Sequence, residues 1–259
     1  MSILLTDERG GTVVVTLNRP EARNALTPEL IAAIVDTVAA LDARADVTVI
    51  ILTGTDPAFC AGVDLKHLAT SVPGTATQPA GSFHPLPPHR TPVIGAVNGP
   101  TVTGGLELAL ACDFLVASER ATFADTHARV GVMPGGGLTA RLPLAVGVSR
   151  AMQMSFTGDF IDARRAYDWG LVNEVVAHDR LLPRALEIAA AIASIPPDNV
   201  QEIRAMYAEV SVLAGDAAWA RQEGWSREWM RARFDQARLA AEREAIVARG
   251  RGQQDRSDR

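Results

Sequence analysis

A pair of glycines followed closely by a glutamate is the part of the sequence best suited to chemistry. Gly104 and Gly105 open an apolar helical pattern, and Glu107 follows them within about one turn. The first N–H groups of a helix have no partner inside it, and together they favour negative charge. Glycine also lets the backbone approach a ligand closely. We therefore predict a site that stabilises a developing anion beside a carboxylate able to move a proton.

A second glycine-containing segment, residues 59–65 (F-C-A-G-V-D-L), is expected to share this site. It follows an apolar strand pattern at residues 47–52, and the segment with the glycine pair, residues 98–109, follows another at residues 93–97. Loops that leave strand ends are where ligands bind in open α/β folds. Both features also have an ordinary explanation, because glutamate in a first helical turn is favourable for electrostatic reasons alone and paired glycines permit tight packing.

Composition narrows the class of protein. The 259 residues are 47% hydrophobic and 21% charged, which allows a sizeable core. We predict a cytoplasmic protein without a membrane partner, because no apolar run reaches ~20 residues and the N-terminus lacks the order of a signal peptide. With 25 basic against 30 acidic residues, the sequence gives no sign of nucleic-acid binding. Cys60 and Cys112 lack metal or redox spacing, so we expect two buried thiols and no bound metal.

Hydrophobic periodicity predicts the elements that position these segments. Strands are predicted at residues 12–17, 47–52, 93–97 and 114–117, and helices from Pro28, with Thr27 as N-cap, and at residues 106–112, 182–193, 198–213 and 217–249. The run at 47–52 is apolar throughout, as in a strand covered on both faces. Strands first and helices last indicate an α/β core of residues 1–196 and a helical C-terminal region of residues 197–259. Residues 71–92, with six prolines, are expected to be a loop that shapes a ligand pocket.

Taken in order, these blocks resemble the crotonase (enoyl-CoA hydratase/isomerase) superfamily. The resemblance begins with residues 17–26 (L-N-R-P-E-A-R-N-A-L), continues through the two glycine segments and extends to residues 134–137 (P-G-G-G) and 170–173 (G-L-V-N). It implies a crotonase-like core in which ββα units form a spiral. It also implies an acyl-CoA thioester substrate and no separate cofactor, because coenzyme A enters with the substrate. A homotrimer or homohexamer is implied as well. The C-terminal region lacks the family's usual sequence signatures, but its helical pattern with Trp219, Trp225 and Trp229 indicates packing against a neighbouring subunit.

The resemblance assigns roles to particular residues. The backbone N–H groups of Val63 and Gly104 are expected to form an oxyanion hole for the thioester carbonyl, and Glu107 to act as a catalytic acid/base. The residues expected to bind coenzyme A and substrate are Ala25, Leu26, Ala61, Asp64, Leu65 and Lys66. Lys66, the only lysine in the chain, is equally well explained as a solvated surface side chain.

The second catalytic glutamate of hydratases in this family is replaced. Its pattern is Phe, two residues, Pro and Glu, whereas residues 123–127 read Phe-Ala-Asp-Thr-His. His127 can still transfer protons near neutral pH. If the segment is extended, Asp125 and His127 project from the same side, and the carboxylate can orient the imidazole. If His127 only fills space, the second acid/base is lost.

Three functions are open at this point. The first is hydration of a 2-enoyl-CoA, and the second is a reaction that needs the oxyanion hole and one acid/base, such as isomerisation of a double bond. The third is a non-catalytic acyl-CoA-binding subunit, against which the retained Glu107 and the double glycine argue. The sequence lacks Walker A, dinucleotide-binding, zinc-protease and serine-hydrolase motifs, which disfavours those activities.

Overall fold

The computed structural model describes residues 2–64 and 84–211, together with residues 224, 228 and 232. Its strands are β1 (Leu4–Arg9), β2 (Thr12–Leu17), β3 (Val49–Gly54), β4 (Val93–Val97), β5 (Thr101–Val102), β6 (Phe114–Ser118), β7 (Thr122–Ala124), β8 (Ile161–Asp162) and β9 (Glu174–Val176). Six of them form a sheet in the order β1-β2-β3-β4-β6-β9, and three form a second sheet in the order β5-β7-β8. The pairing is parallel except for the antiparallel pairs β1–β2 and β7–β8.

Helices lie between and after these strands. They are α1 (Pro28–Asp42), α2 (Gly104–Ala111), α3 (His127–Val130), α4 (Leu138–Val146), α5 (Val148–Thr157), α6 (Ala163–Asp168), α7 (Leu181–Ala193) and α8 (Pro197–Val210), with 3-10 turns at Pro20–Ala22 and His178–Arg180. The predicted α/β class is confirmed. Of the helices described, none has the length and apolar character needed to cross a membrane.

Two compact units divide the chain, Met1–Glu202 and Ile203–Arg259. The functional division at residue 196, with catalysis before it and assembly after it, stays a prediction. The helix predicted at residues 217–249 lies outside the described residues, except for residues 224, 228 and 232, which are helical.

The inner strands of the larger sheet are buried on both faces because their successive side chains enter two different cores. In β3, Ile50 and Leu52 join the core that contains the buried stripe of α1. Val49 and Ile51 join the opposite core, which α7 covers. A strand with two buried faces needs apolar residues at every position. This confirms the prediction made for residues 47–52, although the strand begins at Val49 and ends at Gly54.

Helix α1 forms as its sequence predicts. The Thr27 hydroxyl accepts a hydrogen bond from the N–H of Leu30, 3.3 Å away, and Pro28 occupies the first helical position, where it needs no donor. The buried stripe consists of Leu30, Ile34, Val38 and Leu41. Ile31 and Val35 are half-buried at its edge.

Most other predicted elements are correct except at their ends. Strand β4 occupies the predicted residues 93–97, and β6 extends one residue beyond the predicted 114–117. Helix α2 begins at Gly104, two residues before the prediction, so the glycine pair lies inside its first turn. Residues 84–92, the described part of the proline-rich loop, have no regular structure. The remainder of that loop is outside the described residues.

The two glycine segments lie side by side. Cys60 forms a parallel bridge with Thr101, and Val63 forms one with Leu26. The backbone of Cys60 takes part in two hydrogen bonds across the first bridge, from its N–H to Pro100 O at 3.2 Å and from Val102 N–H to its carbonyl at 3.0 Å. The start of α2 is thereby fixed against the segment that follows β3.

The two segments can approach this closely because glycine has no side chain. A Cβ atom on Gly62 would lie 2.8 Å from the carbonyl oxygen of Val102, and a Cβ atom on Gly105 would collide with the carbonyl oxygen of Cys60. Gly62 also has a φ of +91°, in the region that L side chains rarely adopt. Glycine at both positions is therefore a condition for building the site.

We predict that Gly105→Ala lowers the free energy of unfolding by about 2–3 kcal/mol, because the added methyl group forces the two backbones apart. Gly135→Ala is the matched control, since nothing lies within 4 Å of a Cβ atom built there. That control should change the free energy by less than about 1 kcal/mol. Urea denaturation of both variants measures the difference, and equal effects would contradict this account of the packing.

Candidate active site

Two backbone N–H groups lie next to each other where the glycine segments meet. The Leu26–Val63 bridge uses the N–H of Leu26, which donates to Gly62 O at 2.7 Å, and that of Asp64, which donates to Leu26 O at 2.9 Å. Within the described residues, the N–H groups of Val63 and Gly104 donate no backbone hydrogen bond. A Cβ atom built on Gly104 would lie 3.5 Å from Val63 N. The two donors predicted for an oxyanion hole are therefore neighbours.

The residues predicted to bind coenzyme A fall into four groups. Ala25 and Leu26 are buried, so an approaching ligand meets mainly their backbone. Ala61 is half-buried beside Gly62. Asp64 is engaged elsewhere, since its carboxylate accepts a hydrogen bond from the Arg19 guanidinium at 3.2 Å. Leu65 and Lys66 lie outside the described residues.

Glu107 is buried and held by backbone groups from a distant part of the chain. Its Oε1 accepts hydrogen bonds from the N–H of Gly136 at 2.6 Å and of Leu138 at 3.3 Å, which leaves Oε2 for other partners. The side chain is 3% exposed. Sequence reasoning missed these donors, although a glycine run directly before a helix is a recognisable source of N–H groups.

Asp125 and His127 form a hydrogen-bonded pair. Oδ1 of Asp125 lies 2.6 Å from Nδ1 of His127 and also accepts a hydrogen bond from the His127 backbone N–H at 3.2 Å. The predicted contact is present, but the local structure predicted for it is wrong. Strand β7 ends at Ala124 and His127 begins α3, so a turn in which Asp125 binds the backbone two residues ahead brings the side chains together.

His127 also faces Glu107. Its Nε2 lies 3.9 Å from Oε2 of Glu107, and both side chains are more than nine-tenths buried. This distance is longer than that of a direct hydrogen bond. It suits transfer of a proton through an atom that lies between the two groups, such as a water oxygen. Two carboxylates thus flank one imidazole, close to the start of α2.

The electrostatics of Asp125 favour its ionised form. Burial alone would raise the pKa of this carboxyl, but hydrogen bonding from the His127 imidazole, the Ser155 hydroxyl and the His127 N–H outweighs it and holds the pKa below its ordinary value. An ionised carboxylate is an acceptor, so Nδ1 of His127 carries a proton and Nε2 is the nitrogen left for exchange.

Burial of the two cysteines disfavours thiolate chemistry. Cys60 and Cys112 are free, buried thiols, as predicted. Burial raises the pKa of the Cys60 thiol to about 12, which disfavours the reactive thiolate. The described residues contain no group of three or more His, Cys, Asp or Glu side chains arranged to hold a metal ion.

A second cluster has the residue types of a serine hydrolase without an accessible nucleophile. Oγ of Ser118 lies 2.9 Å from Nδ1 of His178, whose Nε2 lies 3.0 Å from Oδ2 of Asp56. Ser118 is 0% exposed, and its Oγ accepts a hydrogen bond from the N–H of Arg120. Substrate cannot reach this hydroxyl. The cluster instead links the end of β6, which carries Ser118, to the segments that follow β3 and β9.

Comparisons with known proteins show which family this chain resembles. The family model described as enoyl-CoA hydratase/isomerase matches residues 7–226. A protein of Rhizobium meliloti named "Probable enoyl-CoA hydratase" is 42% identical over 193 residues, covering 74% of this chain and 75% of that protein. A protein of Arabidopsis thaliana named "Probable enoyl-CoA hydratase 1, peroxisomal" is 38% identical over 208 residues, covering 79% of this chain and 77% of that protein.

A solved structure extends the similarity to the fold. The crystal structure of enoyl-CoA hydratase from Mycobacterium tuberculosis H37Rv has a TM-score of 0.76 and 45% identity, covering 87% of this chain and 98% of that one. The resemblance predicted from the sequence and the crotonase-like fold are both confirmed.

We predict that Asp125→Ala changes the protonation of His127, because the acceptor that holds the Nδ1 proton is removed. In the neutral ring of the parent protein, the proton should lie on Nδ1, which faces Asp125, and in the variant it should redistribute to Nε2. Nitrogen-15 NMR of histidine-labelled protein reports both ring nitrogens. Asp56→Ala is the control, because Asp56 contacts His178 instead. Unchanged His127 signals in Asp125→Ala would show that the carboxylate does not set its tautomer.

Proposed function

This chain belongs to the enoyl-CoA hydratase/isomerase family and is a hydratase-like enzyme, and from that premise we propose that it reversibly hydrates a 2-enoyl-CoA thioester with Glu107 and His127 as its acid/base pair. The observation that carries the proposal is the 3.9 Å separation between Glu107 Oε2 and His127 Nε2, in a buried site beside two available N–H donors. Hydration needs one group to take a proton from water and another to supply a proton to carbon. A facing pair meets that need.

The N–H groups of Val63 and Gly104 are assigned to the thioester oxygen. Addition of water at Cβ pushes electrons through the conjugated system onto that oxygen, so negative charge develops there in the transition state. Donors fixed in advance stabilise this charge without reorganising, and removing one typically costs about 3–4 kcal/mol. Because the donors are backbone groups, the side chain at Val63 can vary without removing its donor.

Glu107 is assigned to the attacking water. The N–H groups of Gly136 and Leu138 occupy its Oε1, which fixes the carboxylate and leaves Oε2 to accept a hydrogen bond from water. As the C–O bond forms at Cβ, Oε2 takes the proton that the water loses.

His127 is assigned to the proton at Cα. With Asp125 holding the Nδ1 proton, Nε2 is the nitrogen that donates to the enolate carbon, and the ring becomes neutral. The proton on Glu107 then returns to Nε2 across the gap, which restores both groups for the next turnover. Dehydration follows the same steps in reverse.

Isomerisation of a double bond is the second candidate. It moves a proton between two carbons of one substrate and needs a single acid/base. The buried pairing of His127 with both Glu107 and Asp125 favours hydration, since isomerisation gives His127 no task. A non-catalytic subunit would not need to bury three ionisable side chains, which are costly to desolvate.

We also propose that the protein works in the cytoplasm as a homotrimer or homohexamer, without a cofactor beyond the coenzyme A of its substrate. Assembly is supported by an apolar stripe on α5, where Val148, Met152 and Phe156 are 57%, 50% and 76% exposed at spacings of four residues. A neighbouring subunit would cover such a stripe. We expect light scattering to give a mass of at least three chains, and the mass of one chain would contradict the assembly.

We predict that Glu107→Gln and His127→Ala each reduce kcat for the true 2-enoyl-CoA substrate at least about a hundredfold, because each removes a positioned acid/base. Loss of ultraviolet absorbance from the conjugated thioester measures hydration, with crotonyl-CoA as the first substrate tested. Affinity for the unreactive butyryl-CoA should survive in both variants, since the oxyanion donors are backbone groups.

His127→Glu is the informative companion, because it restores the second glutamate of the family's pattern. We expect it to hydrate crotonyl-CoA faster than the parent protein. If His127→Ala instead keeps the parental kcat, His127 fills space, Glu107 acts alone and isomerisation becomes the better assignment.

A further inference from the structure

Thr103 adopts a backbone conformation that a threonine rarely takes. Its φ is 54° and its ψ is −112°, and it directly precedes Gly104 at the start of α2. For a β-branched residue such a positive φ brings Cβ against its own backbone, and this persists only where surrounding contacts impose it. The strained residue thus lies next to one of the two donors assigned to the oxyanion.

Three hydrogen bonds hold Thr103 in place. Its N–H donates to Ala124 O at 2.9 Å, and its carbonyl accepts from Glu107 N–H at 3.0 Å, the first bond of α2. Its side-chain Oγ1 lies 2.7 Å from Oγ1 of Thr126, so one hydroxyl donates to the other. Thr103 is only 8% exposed, which shields these bonds from solvent.

The hydroxyl pair joins the two donor segments to the turn that carries His127. Thr103 touches the first donor segment, since a Cβ atom on Gly62, the residue before Val63, would lie 3.3 Å from the Cβ atom of Thr103. It is followed by Gly104, the second donor. Its partner Thr126 directly precedes His127 and lies in the same turn as Asp125.

We propose that Thr103 and Thr126 are a positioning pair, whose hydroxyl–hydroxyl bond keeps the Gly104 N–H directed at the thioester oxygen and fixes the His127 turn relative to it. The proposal rests on the hydration mechanism above. No group of Thr103 contacts the reacting atoms, so it acts by orienting the backbone. The strain at Thr103 is maintained because relaxing it would rotate the peptide group that carries the Gly104 N–H.

The test uses a substitution that removes the strain and the hydroxyl together. Glycine accepts the positive φ without penalty, so Thr103→Gly should leave the melting temperature unchanged or raise it. Thr126→Val removes the other hydroxyl at nearly constant shape, and Thr126→Ser keeps it. The probe is butyryl-CoA labelled with carbon-13 at the thioester carbonyl, which cannot be hydrated. Its infrared band moves to lower frequency when N–H groups polarise the carbonyl.

In the parent protein and in Thr126→Ser, we expect this band to lie below that of free butyryl-CoA. In Thr103→Gly and Thr126→Val it should return towards the free position. In the same variants, kcat for crotonyl-CoA should fall about tenfold to a hundredfold, a decrease no larger than that caused by losing one oxyanion donor. KM should change much less. This combination, with melting temperature maintained in Thr103→Gly, identifies positioning because a structural defect would lower stability as well.

Three results would overturn the proposal. If the parent band shifts and both hydroxyl-free variants keep that shift and their kcat, the pair does not position the donor, while the oxyanion assignment stands. If kcat falls only in step with melting temperature across the variants, the pair has a structural role. An unshifted band in the parent protein would refute the oxyanion assignment itself, and the positioning role with it.

Discussion

The close approach of two stretches of backbone is the constraint on which the rest of the site depends. The chain that follows β3 and the chain that enters α2 come within contact distance because Gly62 and Gly105 carry no side chain. That approach places the N–H groups of Val63 and Gly104 next to each other, at a helix start where negative charge is favoured. It also sets where α2 begins, and therefore where Glu107 projects one turn later.

Around that backbone frame, three ionisable side chains are buried together. Burying a charge is costly unless hydrogen bonds replace the lost water. Glu107 receives two backbone N–H groups, and Asp125 receives the imidazole and the N–H of His127. The same bonds that make burial tolerable leave one atom on each of Glu107 and His127 for chemistry, Oε2 and Nε2. In a site of low polarity, charges that develop during reaction interact more strongly with these groups than they would in water.

The sequence predicted those elements whose burial extends over several residues. The strands β2, β3 and β4 and the helix α1 each have enough apolar positions to establish a period, and the cap at Thr27 fixed where α1 begins. The small sheet escaped notice because its strands are two or three residues long, too short for periodicity to be visible. Those short strands nevertheless carry the chain to the turn at His127.

The chemistry was predictable in part. The glycine pair and the glutamate that follows it indicated an anion site with Glu107 beside it, whereas the donors at Val63 and Gly104 and the role of His127 were implied by the resemblance to the crotonase superfamily. The contact of Glu107 with the N–H of Gly136, 29 residues away, depends on tertiary structure and has no local signal. The Asp125–His127 pair was predicted from an extended strand, but it forms in a turn. A strand and this turn both bring side chains two residues apart together, so residue spacing alone could not distinguish them.

The most direct test of the account is the fate of crotonyl-CoA in deuterated water, followed by mass spectrometry and NMR of the product. The mechanism predicts 3-hydroxybutyryl-CoA with one deuterium at Cα, delivered by His127, and no product in Glu107→Gln on the same time scale. Formation of 3-butenoyl-CoA in place of the hydroxy product, or recovery of unreacted crotonyl-CoA and of longer 2-enoyl-CoA substrates, would contradict it.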